Sequence, residues 1–227
     1  MSGLTGGKPE SPEQRRAKNN EFIKSQGIKC YENLPVTSDA EEAKPKSLEE
    51  IAARAYSCFW VIQIACDVNN GVYEDSVDYF KPLLEKRGLM GYLNTKEKRF
   101  LDGTYTLQDA FDMDWAYEAL YSLLYALGFV DEIRNASTVC DSYSVIKTVN
   151  SSPTLKDFIG RCALRSNSEL LEALDLYYRY DWAITEKRLD PATPTGNLNA
   201  SVVIERRRGL EWIFVDEADW YDISMDT

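Results

Sequence analysis

The feature that most constrains this chain is how often it writes the start of a helix. Ser11 with Gln14, Ser47 with Glu50, Thr106 with Asp109 and Ser166 with Glu169 each set a hydroxyl three residues ahead of a side chain that can reach back to the cap. Pro12 adds the residue best suited to a first helical position, because its missing N–H has no partner to lose there. Between these signals there is no period-two strand series, no internal repeat and no glycine-rich phosphate loop. The expected fold class is all-α: a single compact multi-helix domain with long loops and little or no β-structure.

The same signals place the segments. A first helix runs from Ser11 to a stop at Gly27, followed by an extended stretch to Leu34-Pro35 and a polar, charged segment over 37–46. Ser47 opens a helix with Ile51, Ala55, Phe59, Ile62 and Cys66 on one stripe, ending near Asn70-Gly71. A shorter helix over Tyr79–Lys86 is expected to begin late or bend at Pro82, and Thr95 to cap a brief one ending at Gly103.

The segment from Thr106 to Gly128 reads as the central helix. Between Asp114 and Asp131 its sole formal charge is Glu118, while Trp115, Ala116, Leu120, Leu123, Leu124 and Leu127 point nearly all round the axis. Short helices follow at Asp141–Val149 and Thr154–Ile159, then a long one from Ser166 to about Leu189 with Leu171, Leu174, Tyr178 and Asp181 in line. Asn199 caps a last helix whose inner face carries Val203, Arg206, Leu210 and Ile213. The expected organisation is a flexible N-terminus over 1–10, one helical domain over 11–215, and a C-terminal tail over 216–227 holding five acids and no base.

Composition removes several function classes. The chain has no histidine, so His-based triads, His general bases and His-ligated zinc are excluded. A net charge of -11 repels phosphate backbones and anionic bilayers, so neither a nucleic-acid nor a membrane partner is expected. The longest apolar stretch, Cys58–Cys66, is interrupted by Gln63 and is too short to span a bilayer. Five cysteines with no C-x-x-C spacing form no disulfide framework. They read as reduced thiols, which fits the cytoplasm.

With the segments placed, several of them together resemble one family. Arg16-Ala17-Lys18-Asn19 with Gly27-Ile28, the Leu34-Pro35-Val36 corner and Ser47–Ala55 are similar to its opening. Trp115-Ala116-Tyr117-Glu118 with Leu124–Gly128, and Ala163–Ser166 leading into Asp175–Ala183, are more specific. Val202–Arg206 with Trp212 and the closing Asp222–Thr227 complete the order. This set resembles the family of domain of unknown function 4272, whose members are uncharacterised and largely bacterial. The resemblance implies an intracellular helical domain and carries no activity, substrate or cofactor. Against the family pattern, this chain has Ala116 where arginine is usual, and Asp181 and Arg207 where histidine is usual.

The residues able to carry chemistry are few. Glu118, in an otherwise apolar helix, must be paired, protonated or functional; an arginine from another helix would satisfy it. Asp181 falls on an apolar stripe beside Arg179 and Trp182, although Asp175 sits four residues before Arg179 and can hold it as an ordinary intrahelical pair. Arg206 is expected to be the buried partner of Glu118 or Asp181, with Arg207 and Arg208 on the solvated surface.

Glu205 joins Glu118 and Asp181 as a conceivable oxygen ligand, but neighbouring arginines oppose a cation, so no metal and no cofactor is expected. The leading reading is a non-catalytic helical binding or interaction module with a charged and aromatic pocket formed by Trp115, Glu118, Arg179, Asp181, Trp182, Glu205 and Arg206. Its partner would be a protein or a small anionic ligand. The alternative is an enzyme on a small anionic substrate, with Glu118 or Asp181 moving a proton and Arg179 and Arg206 clamping the anion.

Overall fold

A computed structural model describes residues 10–68, 70–217 and 219–226. It forms α1 (Pro12–Ser25), α2 (Leu48–Val68), α3 (Tyr73–Lys86), α4 (Thr95–Leu101), α5 (Leu107–Ala126), α6 (Ser142–Asn150), α7 (Leu155–Ile159), α8 (Asn167–Leu189) and α9 (Ala200–Trp212). Short 3-10 turns lie at Met90–Tyr92 and Trp220–Asp222. No strand occurs among the described residues, and one isolated antiparallel bridge joins Ile28 to Thr195. The fold is all-α, as the helix-start signals require. Nearly all of the flexible segment expected over 1–10 lies outside the described residues.

The caps act through the expected atoms. The Ser166 hydroxyl accepts from Glu169 N, and Glu169 Oε2 accepts from both Ser166 N and Ser166 Oγ. Equivalent boxes start α1 and α5. Two boundaries differ. Asn94, not Thr95, caps α4, with Glu97 as its reciprocal partner at 2.8 and 2.9 Å. The helix expected to start near Tyr79 begins at Tyr73 and runs through Pro82. Pro82 and Asp78 are both exposed, so the carbonyl that loses its i→i−4 donor can turn to water.

In the packing order, α5 lies between α2 and α9, α9 between α5 and α8, and α8 between α9 and α1. The apolar core accordingly has one cluster around α2 and α5, including Phe59, Leu120 and Leu123, and another around α8 and α9, including Leu174, Tyr177 and Val203. By length and composition α2 could cross a membrane, but 78% of that window is buried by the rest of the bundle.

Gly209 sets the approach of α9 to α5. A Cβ there would lie 2.6 Å from the Ala119 carbonyl oxygen and 3.0 Å from Ser122 Cβ. Gly209→Ala is therefore expected to destabilise the protein by about 1–3 kcal/mol, through overpacking against backbone. An unchanged urea midpoint would show that the two helices separate freely.

The acidic C-terminal segment does not trail away from the bundle. Trp220 is 1% exposed and belongs to the core, with the Arg54 guanidinium 4.2 Å above its ring. The carbonyls of Met225 and Asp226 each accept from Arg207 at 3.0 Å. Charge patterning alone reads this stretch as solvated, because it does not register the buried tryptophan among the acids.

Candidate functional site

The charges singled out in the sequence are nearly all buried, and they sort into separate pairs. Glu118, on α5, is 2% exposed and accepts from Arg206 Nε at 2.8 Å and from the Cys140 backbone N–H at 2.7 Å. Arg206, on α9, also donates to the Asn135 carbonyl at 2.6 Å and the Tyr177 hydroxyl at 3.1 Å, and its guanidinium lies 4.7 Å from the Tyr121 ring centroid. Burial pushes its pKa down, but Tyr177 and Glu118 more than offset this, so it is held above its ordinary value.

Arg179 is held within its own helix, as the i,i+4 spacing predicts. Its Nε and Nη2 each donate to Asp175 at 2.8 Å, and Asn19 Nδ2 donates to the same carboxylate at 2.8 Å. Asp181 is joined to Arg207, whose Nη1 lies 2.5 Å from Asp181 Oδ2. Of the two partners expected for Arg206, Glu118 is the one it takes. One expectation is corrected: Arg207 is 2% exposed instead of solvated. The reason is that α9 is covered on two sides, by α5 and by α8. The two positions at which the family resemblance calls for histidine thus face each other here as an aspartate and an arginine.

The remaining candidates lie apart. Glu205 is paired within α9 to Arg208 Nε at 3.2 Å, and burial raises its pKa. Trp115 is half-buried with Phe111 against it, and Trp182 is half-buried, stacked on Tyr31 at 5.7 Å with Lys29 beside its ring. Each guanidinium of the envisaged anion clamp is paired with its own carboxylate, and Arg179 Nη1 is buried with no hydrogen-bond partner among the described residues. None of the seven residues, Trp115, Glu118, Arg179, Asp181, Trp182, Glu205 and Arg206, lines either of two open cavities on the molecule. Among the described residues no group of three or more cysteines and carboxylates has metal-holding geometry.

The larger cavity is a groove of about 720 Å³ whose walls come from three distant stretches. Lys44, Pro45, Lys46 and Glu50 form the first wall, Gly91–Thr95 with Lys98 the second, and Trp212, Val215, Asp216 and Asp219 the third, with Arg54 also lining it. Arg54 is 5% exposed, donates to the Tyr92 carbonyl at 2.9 Å and forms a bidentate pair with the fully buried Glu97. That carboxylate also caps α4, so one buried pair fixes α2 and the 91–95 turn together. Across the groove, Lys46 N donates to the Ile213 carbonyl at 2.7 Å, and Lys46 Nζ donates to the Val215 carbonyl while lying 4.7 Å from the Trp212 ring centroid. Burial lowers the Lys46 pKa.

Sequence reasoning missed this groove because no single segment carries it. The available signal was weak: Pro45 between two lysines, and a capping Asn94 just after a 3-10 turn.

An all-α bundle with internally paired charges, and with its larger open groove lined by other residues, defines the class as a helical domain without an assembled catalytic set among the residues proposed for it. The family model for domain of unknown function DUF4272 matches residues 15–223, and the chain belongs to that family. No curated protein and no solved structure matches it.

Proposed function

We propose that this chain is a non-catalytic binding module, resident in the cytoplasm, whose recognition surface is the groove between the 44–50, 91–98 and 212–219 segments. The observation behind this reading is that Glu118 and Asp181, the residues that would move a proton, are each locked to a buried guanidinium. A general acid or base must reach the reacting group, and neither residue lines either of the two cavities described above. The groove has the size of an ordinary ligand site, and its lining mixes seven charged side chains with apolar ones such as Leu93, Val215 and Trp212.

The cysteines, which form no disulfide, suit a reducing compartment, and the charge of -11 disfavours nucleic acid and anionic membranes as partners. A small ligand or a segment of a protein partner fits the groove. The test is a fragment screen read by protein-observed NMR. Hits are expected to shift resonances of Tyr92, Leu93, Lys98 and Trp212. Hits clustering at Glu118 or Asp181 instead would sink the reading.

A further inference from the structure

Resting on the reading of the groove as the recognition surface, we infer that its ligand is an organic anion: one carboxylate or phosphate head on an apolar or aromatic body. Across this acidic chain many lysines already have a carboxylate. Lys18, Lys24, Lys29, Lys81 and Lys96 are each ion-paired. Lys44, Lys46 and Lys98 line the groove, and none has a carboxylate within 4.0 Å among the described residues. Lys44 and Lys98 are exposed at the rim. Lys46 is partly desolvated, its ammonium on the Trp212 ring and a carbonyl. A cation in that setting gains more from an anion than one in bulk water does.

The groove's acids are largely committed to donors of the fold. Glu50 accepts from Ser47 N and Ser47 Oγ at 2.8 and 2.7 Å, and Asp219 accepts from Thr95 N at 3.3 Å and Tyr221 N at 3.0 Å. They still carry charge, and with Asp216 they set a ceiling. With Arg54 neutralised by Glu97, the three lysines face three carboxylates, so the groove has no excess charge to hold a polyanion, and attraction for one anionic head comes from ammoniums that no carboxylate contacts.

A second observation concerns neutral donors. Asn94, a wall residue 9% exposed, spends its Oδ1 on the α4 cap, while its buried Nδ2 has no acceptor. A buried amide N–H without a partner is costly, and a ligand oxygen entering this wall would supply one. The body of the ligand is indicated by Pro45, Leu93, Val215, Trp212 and the half-exposed Tyr92 ring.

The test uses the full chain with phenylacetate, phenyl phosphate, phenethylamine and benzyl alcohol as probes, read by isothermal calorimetry and tryptophan fluorescence. Phenylacetate and phenyl phosphate separate a carboxylate from a phosphate head. At least one is expected to bind wild type at least about tenfold more tightly than benzyl alcohol, one tenfold step being about 1.4 kcal/mol. The Lys44→Gln/Lys98→Gln variant alters two exposed side chains and leaves Lys46 in place. It is expected to keep the wild-type melting temperature and lose most of that preference.

Equal anion binding in the double variant overturns the inference. Tighter binding of phenethylamine or benzyl alcohol, lost on Tyr92→Ser, also overturns it but leaves the groove as a recognition surface. Binding of none of the four removes both readings.

Discussion

Glu118→Ala is expected to lower the unfolding free energy by about 3–5 kcal/mol, the range for removing one partner of a buried ion pair. The loss comes from what stays behind. The Arg206 guanidinium would remain buried with Tyr177, Asn135 and Thr138 as neutral acceptors, and the Cys140 N–H would lose its acceptor. Replacing both charges, as Glu118→Leu/Arg206→Met, is expected to recover most of the loss, because an apolar pair of similar volume avoids the desolvation of either charge. Urea denaturation followed by far-ultraviolet circular dichroism measures both variants. A single substitution within about 0.5 kcal/mol of wild type, the size of an ordinary surface change, would mean that the pair is open to water. The double variant also speaks to function: if the groove is the recognition surface, its ligand binding survives the loss of Glu118 and Arg206.

What the sequence made legible follows from the range over which each signal acts. A capping box is complete within four residues, so the starts of α1, α5 and α8 could be placed from hydroxyl–carboxylate or hydroxyl–amide spacing alone. The near-absence of charge in α5 after Asp114 likewise foretold the burial of that part on most sides, and Asp175–Arg179 could be paired because both lie on one helix face. Long-range choices were not legible. A hydrophobic stripe identifies one inner face, but α9 has two. Its second face carries Arg207, which on an exposed helix would be a surface residue. Gly209 was the overlooked clue, since a glycine in mid-helix often marks a close approach by another backbone. The groove was hidden for a related reason. Lys44, Asn94 and Trp212 become neighbours through the Arg54–Glu97 pair and the Lys46–Ile213 hydrogen bond, which join segments far apart in the chain.

Arg207→Ala carries the second large effect, expected at about 3–5 kcal/mol for a buried carboxylate left without its cation. Asp181, 4% exposed, would lose its partner, and the Met225 and Asp226 carbonyls would lose their donor. Trp220 keeps its place under Arg54, so faster amide exchange is expected over 223–226 and not around 220. The deficit should depend on pH in a definite direction. In the wild type burial raises the Glu211 pKa above its ordinary 4.5, while Arg207 opposes that rise. Without Arg207 the folded-state pKa of Glu211 climbs further above its unfolded value. A raised carboxyl contributes stability that is fully present below the unfolded pKa and is lost as pH rises through the folded pKa. The variant should therefore lie closer to wild type in mild acid than at neutral pH. A deficit that is constant with pH, or that grows on acidification, would show that Glu211 stays solvated once the arginine is gone. It would then be the packing of the 223–226 segment over α9, more than the buried charge, that Arg207 maintains.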